Sequence, residues 1–346
     1  MTIHNALLTL LRSESLTVDE AATVMTTIMN GEATPAQIAS LLTALRMKGE
    51  SVDEIAGFAR VMRQKAIRIA PQTEKMLVDT CGTGGDLLKT FNISTAAAFV
   101  VAGAGVAVAK HGNRSVTSKS GSADVLEELG INLAVPPAMV ESCIERIGVG
   151  FLFAQHFHPA MKYAAPVRRE IGIRTVFNVL GPLTNPAGAS CQLMGVYDPE
   201  LTELLARVLG LLGSHHAFVV HGMLGLDEWS TAGATRVSEL RDGEVNTRLY
   251  TAADLGLPEA TPESLAGGAP AENAVMINRL FRGEGGPRRD IVMVNAAAAL
   301  VAADHARDMQ DGLQQAAISL DAGAALAKLQ ALREITQGEG SFARLP

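Results

Sequence analysis

The sequence predicts an α/β protein with a small all-helical N-terminal domain and a large α/β domain built on a mainly parallel central sheet. Three observations carry this reading. Three helix-capping boxes fall within the first seventy residues, and from residue 76 onward short apolar runs alternate with glycine loops and helical segments. A chain of 346 residues with 48% hydrophobic content is also long enough for two cores.

In chain order, Leu7, Leu8 and Leu11 suggest a short first helix. The boxes Thr17-Val18-Asp19-Glu20, Thr34-Pro35-Ala36-Gln37 and Ser51-Val52-Asp53-Glu54 start three more, and Asn30-Gly31 and Lys48-Gly49 supply stops. The apolar face Ile38, Leu41, Leu42 and Leu45 exceeds what a unit this small needs, which points to packing on a partner chain. Strand candidates follow at Leu77–Asp79, Val106–Ala109, Gly150–Phe153, Leu193–Tyr197, Ala217–Val220 and Ile291–Val294. Between the first two, Gly82-Thr83-Gly84-Gly85-Asp86 forms a glycine loop. Ser94 or Thr95 is the expected N-cap of a helix through Ala96–Val101, which Gly103 and Gly105 end. A helix is expected from Asp124 to Leu129, closed by Gly130, and another from Ala165 to Ile171, inside a stretch between Pro159 and Pro186 that interrupts the alternation. Gly338-Glu339-Gly340 reads as a loose tail.

Strand, glycine loop, capped helix and strand together make a phosphate site, because backbone amides and a helix N-terminus then face one anion. The second strand leads into Lys110-His111-Gly112-Asn113-Arg114-Ser115, a cluster equipped to hold an anion where open α/β sheets bind ligands. The loop matches neither the dinucleotide fingerprint nor the Walker A pattern. Asp227-Glu228, reached from the Ala217–Val220 strand through Gly222 and Gly225, would emerge at the same edge. There an acidic pair reads as a clamp for Mg²⁺ on phosphate oxygens.

Several classes are excluded. Residues 91 to 109 carry no charge, but Asn92, Ser94, Thr95 and two glycines argue for a capped helix rather than a membrane span. The N-terminus lacks the positive region of a signal peptide, and three widely spaced cysteines suit reduced thiols in a cytoplasm. Cys81 beside the glycine loop reads as a packed thiol. A net charge of −7 gives no global nucleic-acid footprint, so the cations near residues 110 to 119 favour a small anionic ligand.

GTGGD at 82–86, FNIST at 91–95, KHGNRSVTSKSGSAD at 110–124, VRRE at 167–170, FNVLGPLTNPA at 177–187 and GLDE at 225–228 occur in this order. Across nearly its whole length the sequence resembles the anthranilate phosphoribosyltransferase family. The resemblance implies a nucleoside phosphorylase/phosphoribosyltransferase-like fold, with a helical domain 1–71 joined by segment 160–188 and an α/β domain of 72–159 and 189–346. It also implies a cytoplasmic homodimer formed through the helical domains, with no nucleic-acid or membrane partner. The reaction so implied joins anthranilate to 5-phosphoribose 1-diphosphate and releases pyrophosphate. The phosphorylated sugar would be bound by Gly82, Gly85, Asp86, Thr90 and the turn Asn92, Ile93, Ser94 and Thr95. The site would be completed by Lys110, His111, Gly112, Asn113, Arg114, Ser115, Val116, Thr117, Ser118 and Ser122. Ser94, Asp227 and Glu228 would hold Mg²⁺, two ions per subunit. Gly82, Asn113 and Arg168 would bind anthranilate, and a guanidinium fork at Arg168 suits its carboxylate.

The resemblance demands little covalent help from the protein. Lys110, His111 and Asn113 position substrates or stabilise the leaving group; His111 is expected to position or pack rather than act as a general base, and His156 and His158 to be structural. Two residues depart from the family pattern: Leu87, where a glycine is usual, and Tyr163, where a histidine is common. Two other readings are a pyrimidine nucleoside phosphorylase, which needs no metal clamp, and a non-enzymatic nucleic-acid-binding relative, which predicts a basic surface. The Asp227-Glu228 pair argues against the first and the negative charge against the second.

Overall fold

The structure, a computed structural model, describes residues 1–74, 76–85, 87–115 and 119–338. Four helices open the chain: α1 (Ile3–Leu11), α2 (Val18–Met29), α3 (Pro35–Lys48) and α4 (Val52–Lys65). All three predicted capping boxes form, on Thr17, Thr34 and Ser51. Glu54 goes further. Fully buried, its carboxylate also accepts the Leu16 amide at 3.0 Å and pairs with Lys48 at 3.0 Å, tying α4 to the chain before α2. Gly31 and Gly49 follow α2 and α3 at φ of +79° and +88°, a conformation that favours glycine.

The chain continues through β1 (Val78–Gly82), α5 (Ile93–Gly103), β2 (Val108–Gly112), α6 (Ser122–Glu128), α7 (Pro137–Ile147) and β3 (Val149–Phe153). Three short helices follow, α8 (Ala154–Phe157), α9 (Ala165–Ile171) and α10 (Phe177–Leu180). Then come β4 (Cys191–Gly195), α11 (Leu201–Leu211), β5 (His216–Gly222), β6 (Thr235–Arg241) and β7 (Glu244–Tyr250). Four helices, α12 (Pro270–Phe281), α13 (Pro287–Ala302), α14 (Met309–Asp321) and α15 (Ala324–Gln337), close the described chain. The seven strands form one sheet in the order β3-β2-β1-β4-β5-β6-β7. The first five in that order are parallel; β6 and β7 add an antiparallel edge.

Both sheet faces are covered, so every residue of β4 and β5 is buried. One face packs with α5, α12, α13, α14 and α15 around residues such as Phe99, Trp229 and Leu300. The other packs on α11 and the N-terminal helices, and the same core takes in Ala164, Val167, Phe177 and Leu180 from the 160–188 segment. Three expectations are corrected. Ile38, Leu41, Leu42 and Leu45 of α3, expected to pack on a partner chain, are all buried in this chain's own core. Ile291–Val294 is not a strand but part of α13, every residue of which from Ile291 to Ala302 is buried; an apolar run buried on all sides has no strand or helix period to read. The β6–β7 hairpin was not anticipated. The tail reading falls, beyond Gly338, outside the described residues, and the uncharged 91–109 stretch divides into α5 and the start of β2. Among the described residues no helix is long and apolar enough to cross a membrane.

Gly57 sets how closely α2 and α4 approach. A Cβ there would lie 2.4 Å from the Val18 carbonyl oxygen and 2.8 Å from the Ala21 Cβ. In an isolated helix Gly57→Ala would be favourable by about 1 kcal/mol. Here the clash is with backbone, so the substitution is expected to lower stability by about 1–3 kcal/mol in urea unfolding. A stability gain would show that the two helices part at no cost.

Candidate active site at the carboxyl edge of the sheet

From β1 the chain turns one way to β2 and β3, and from β4 the other way to β5, so β1 and β4 flank the topological switch point where such sheets bind ligands. Each ends in glycine, and Gly82 and Gly195 are direct partners across the pair. Neither can carry a side chain. A Cβ on Gly195 would fall 1.6 Å from the Asp227 carbonyl oxygen, and one on Gly82 would fall 2.7 Å from Asp227 Oδ2. Asp227 therefore lies directly over the switch point, in the place the sequence predicts.

The glycine loop is sewn to this edge by its backbone. Thr83 N donates to Gly195 O (2.9 Å), Gly84 N to Asp227 Oδ2 (2.8 Å) and Leu87 N to Gly225 O (2.8 Å). Gly84 and Gly85 take positive φ, +66° and +80°, whereas Leu87 does not, so the residue that departs from the family pattern carries no backbone strain. Asp86 lies outside the described residues. Cys81 is a packed thiol as expected: it is buried, accepts from Gln192 Nε2 at 2.9 Å, and burial holds its pKa well above the ordinary thiol value.

The start of α5 corrects one prediction. Asn92, not Ser94 or Thr95, occupies the N-cap position, and no side chain caps from there. Glu228 fills that role from a distant loop, accepting the Ser94 amide at 3.0 Å. Asn92 is committed elsewhere: it donates to Ser120 O (3.1 Å) and accepts from Ser120 Oγ (3.0 Å) and Asn273 Nδ2 (2.9 Å). Ile93 is fully buried and Thr95 nearly so, so both anchor the helix, while Thr90 bridges to Ala266.

Lys110 reaches into the same space from β2. Its Nζ donates to Thr80 O and stands 3.5 Å from Ser94 Oγ. Burial lowers the ammonium pKa, and Asp79, Cys81 and Glu228 oppose that shift. Beyond β2, Asp124 organises the polar loop by accepting the Ser115 amide (3.0 Å) and the Gly121 amide (2.9 Å), while Ser122 Oγ donates to Asn113 O (3.3 Å). Gly112 leaves room for Ser122, whose Oγ would lie 2.2 Å from a Cβ there. The Arg114 guanidinium is engaged by Glu127 and Asp124 and sits over the Phe153 ring at 5.5 Å. Val116, Thr117 and Ser118 lie outside the described residues.

Around α9 and the end of β2 the surroundings become aromatic. Arg168, on α9, stacks over Phe177 at 5.2 Å, makes no ion pair among the described residues, and has its pKa lowered by burial. The buried rings of His111 and His158 lie 5.1 Å apart. His111 Nδ1 is 3.1 Å from Gly181 O, and the Nε2 atoms of both rings have no hydrogen-bond partner among the described residues. Burial pushes their pKa values down to about 3 and about 4, so both are neutral at ordinary pH. His156 instead packs edge-on against Phe153 at 5.1 Å.

Three supporting residues escaped the sequence reading. Asp79, buried in β1, accepts the His111 amide (3.0 Å) and Asn185 Nδ2 (2.8 Å). Asn295, buried in α13, accepts the Trp229 amide (3.0 Å) and donates to its carbonyl (2.9 Å), which fixes the chain beside Glu228. Arg174 reaches the carbonyl of Gly85. A polar residue within an otherwise apolar run was the available signal for the first two.

Ser94, Asp227 and Glu228 converge on the glycine loop with oxygen donors only, a set that fits a hard cation such as Mg²⁺. No group of three or more His, Cys, Asp or Glu able to hold a metal occurs among the described residues. Waters and substrate oxygens normally complete the shell of Mg²⁺.

Comparison with known proteins places this arrangement. Residues 4–66 match the helical bundle domain, and residues 74–326 the a/b domain, of a glycosyl transferase family. The fold and site thus define a two-domain glycosyl transferase. Anthranilate phosphoribosyltransferases of Symbiobacterium thermophilum and Moorella thermoacetica are 58% and 59% identical to it, over 93% and 92% of the chain and 94% of each relative. The crystal structure of anthranilate phosphoribosyltransferase from Thermus thermophilus superposes with a TM-score of 0.91 at 44% identity, covering 96% of this chain and 99% of that one. The Saccharomyces cerevisiae enzyme in complex with PRPP and Mg superposes at 0.88 with 28% identity, covering 97% and 98%. The chain belongs to the anthranilate phosphoribosyltransferase family, enzymes of tryptophan biosynthesis.

The buried imidazoles make an acid-sensitive fold. A histidine that is neutral when folded but free to protonate when unfolded stabilises fully above pH 6.5, and that contribution is lost as pH falls toward the folded value, about 4 for His158. Between pH 6.5 and 4.5, His158→Gln is expected to flatten the decline in urea-unfolding free energy by about 1.4 kcal/mol per pH unit. Parallel pH profiles for variant and wild type would show that His158 is solvated.

Proposed function

We propose that this site transfers the 5-phosphoribosyl group from 5-phosphoribose 1-diphosphate to the amine of anthranilate. The observation that carries the proposal has two parts: on the glycine-loop side Asp227 meets the loop, Glu228 meets the start of α5 and Lys110 lies 3.5 Å from Ser94 Oγ, and on the α9 side the Arg168 guanidinium stacks over Phe177 with no ion pair among the described residues. An anionic sugar phosphate suits the first side and an aromatic carboxylate the second. Ser94, Asp227 and Glu228 would hold Mg²⁺, two ions per subunit, and such ions neutralise the diphosphate. Breaking the bond from ribose C1 to the diphosphate leaves positive charge on the sugar and negative charge on the leaving group. Lys110 stabilises the latter, and holding the amine in line supplies much of the remaining rate. His111, being neutral, offers a packing surface and a hydrogen-bond acceptor. Incubating the protein with both substrates and Mg²⁺ is expected to consume anthranilate; a folded sample that leaves it unchanged overturns the reading.

Asp227→Asn and Glu228→Gln keep shape and remove charge. Each is expected to lower turnover by about tenfold or more, as loss of a charge-assisted contact of roughly 1.5–3 kcal/mol implies, and to raise the Mg²⁺ concentration for half-activity. Mg²⁺ titrations that superimpose on the wild type would remove the metal assignment.

We also propose that residues 1–71 and 160–188 form one helical domain, which their shared core supports, and that the protein works as a cytoplasmic homodimer. Leu11 on α1 and Met47 on α3 are 74% and 84% exposed, and a second copy of the helical domain would cover them. Leu11→Glu with Met47→Glu is expected to sediment as a monomer beside a dimeric wild type. If the variant sediments like the wild type, the interface lies elsewhere.

A further inference from the structure

Arg174 joins the segment after α9 to the glycine loop. Its Nη2 donates to the carbonyl of Gly85 in the glycine loop at 2.6 Å, and its guanidinium stacks over Tyr197 at 4.1 Å. Tyr197 is tied to the same loop, since its amide donates to Thr83 Oγ1 at 3.1 Å. The approach depends on glycine: a Cβ on Gly85 would lie 2.7 Å from Arg174 Nη2. Toward the N-terminus, Arg174 is one short segment from Arg168. The Gly172 amide donates to the Arg168 carbonyl at 3.2 Å and closes α9 in a left-handed turn, at φ +64°. Just beyond Arg174, the Thr175 amide donates to Asn178 Oδ1 at 3.0 Å, and Thr175 is buried. The short segment from 168 to 175 is thus tied by these two hydrogen bonds, with Arg168 at its start and Arg174 near its finish.

We propose that Arg174 is a positioning residue that couples occupation of the glycine loop to the placement of Arg168, so that a diphosphate on the loop tightens binding of the aromatic carboxylate. An anion seated over the glycine loop fixes the orientation of its peptides, and with it the Gly85 carbonyl that Arg174 grips. The grip holds the 168–175 segment, and Arg168 is then in place before the second ligand arrives. Arg174 is solvent-facing and makes no ion pair among the described residues, so its loss changes this coupling rather than the stability of the fold. The inference rests on the proposed placement of the diphosphate over the glycine loop and of anthranilate beside Arg168.

The test is a binding cycle without turnover. Anthranilate affinity is measured calorimetrically with and without saturating pyrophosphate and Mg²⁺, for wild type, Arg174→Met and Tyr197→Phe. Methionine keeps an apolar chain over Tyr197 and removes the donor; phenylalanine keeps the ring under Arg174. Wild type and Tyr197→Phe are expected to bind anthranilate about fivefold or more tightly when pyrophosphate is present, in the usual range of coupling between sites. In Arg174→Met that ratio is expected to fall to one, with affinities for each ligand alone and thermal stability unchanged. A variant that keeps the wild-type ratio overturns the proposal, as does a wild type that binds both ligands independently. A wild type that binds neither ligand overturns the site reading, and the inference with it.

Discussion

The carboxylate of Asp79 has no exposed surface, and the geometry of the active edge depends on how it is satisfied. Burial alone would keep it protonated, and its pKa is raised to about 6; Lys110, the Asn185 amide group and the His111 backbone amide pull it back toward ionisation. A buried charge is tolerated only when its partners are all in place, and removing one leaves an uncompensated group. Those partners come from separate segments: Lys110 and His111 from the end of β2, and Asn185 from the stretch after α10. Asn185 also donates to Ala109 O at 2.8 Å, so one amide group holds both strands. The same stretch provides the Gly181 carbonyl beside His111. Asp79 thus ties the end of β2, where Lys110 and His111 stand, to the stretch after α10.

Above that buried network, the functional edge relies on missing side chains and borrowed charge. Gly82 and Gly195 clear the switch point, and Asp227 occupies the space they leave. Positive charge is scarcer than the Lys110-to-Ser115 cluster suggests, because the Arg114 guanidinium is neutralised by Glu127 and Asp124 and Lys110 is itself opposed by Asp79 and Glu228. A diphosphate needs more compensation than one ammonium and a few backbone amides supply. A site that adds two carboxylates to such a place makes physical sense only if cations arrive with the substrate. The net charge of −7 points the same way, since no long-range field draws in the anion.

Much of this was legible from local chemistry. Capping boxes reciprocate over four residues, so the first helices could be read from short strings, and α9 runs from Ala165 to Ile171 as expected. Gly82, Lys110 and Asp227 lie at the carboxyl edge as expected, because strand-then-glycine patterns are also local. What failed was tertiary. Ile291–Val294 reads as a strand in isolation, and only burial on every side makes it part of a helix. The cap of α5 comes from Glu228, 134 residues further on, so no local rule finds it. The β6–β7 hairpin did carry a signal: Asp242-Gly243 joins the strands with φ of +53° and +81°, the turn such pairs favour. It was obscured because β7 faces solvent and its sequence, Glu244 to Tyr250, lacks an apolar alternation. Asp79 and Arg174 act across segments far apart in sequence, and spacing says nothing of them.

The two departures from the family pattern are accommodated by one device. Leu87 is 81% exposed, yet its side chain lies over Gly225, where a Cβ would meet Leu87 Cδ1 at 2.9 Å. Tyr163 lies over Gly31 in the same way, with its Cε1 2.5 Å from a would-be Cβ. In both cases the larger residue on one segment is matched by a glycine at positive φ on the segment facing it, Gly225 at +89° and Gly31 at +79°. Each pair links a ligand-facing element to a neighbour: the glycine loop to the turn that bears Asp227 and Glu228, and the stretch before α9 to the α2–α3 turn. Freedom lost at a loop tip is thereby replaced by side-chain contact across two loops. The glycine loop is held against the turn that leads to Asp227 by a side chain as well as by the Leu87 amide, and the stretch before α9 is braced against the N-terminal helices.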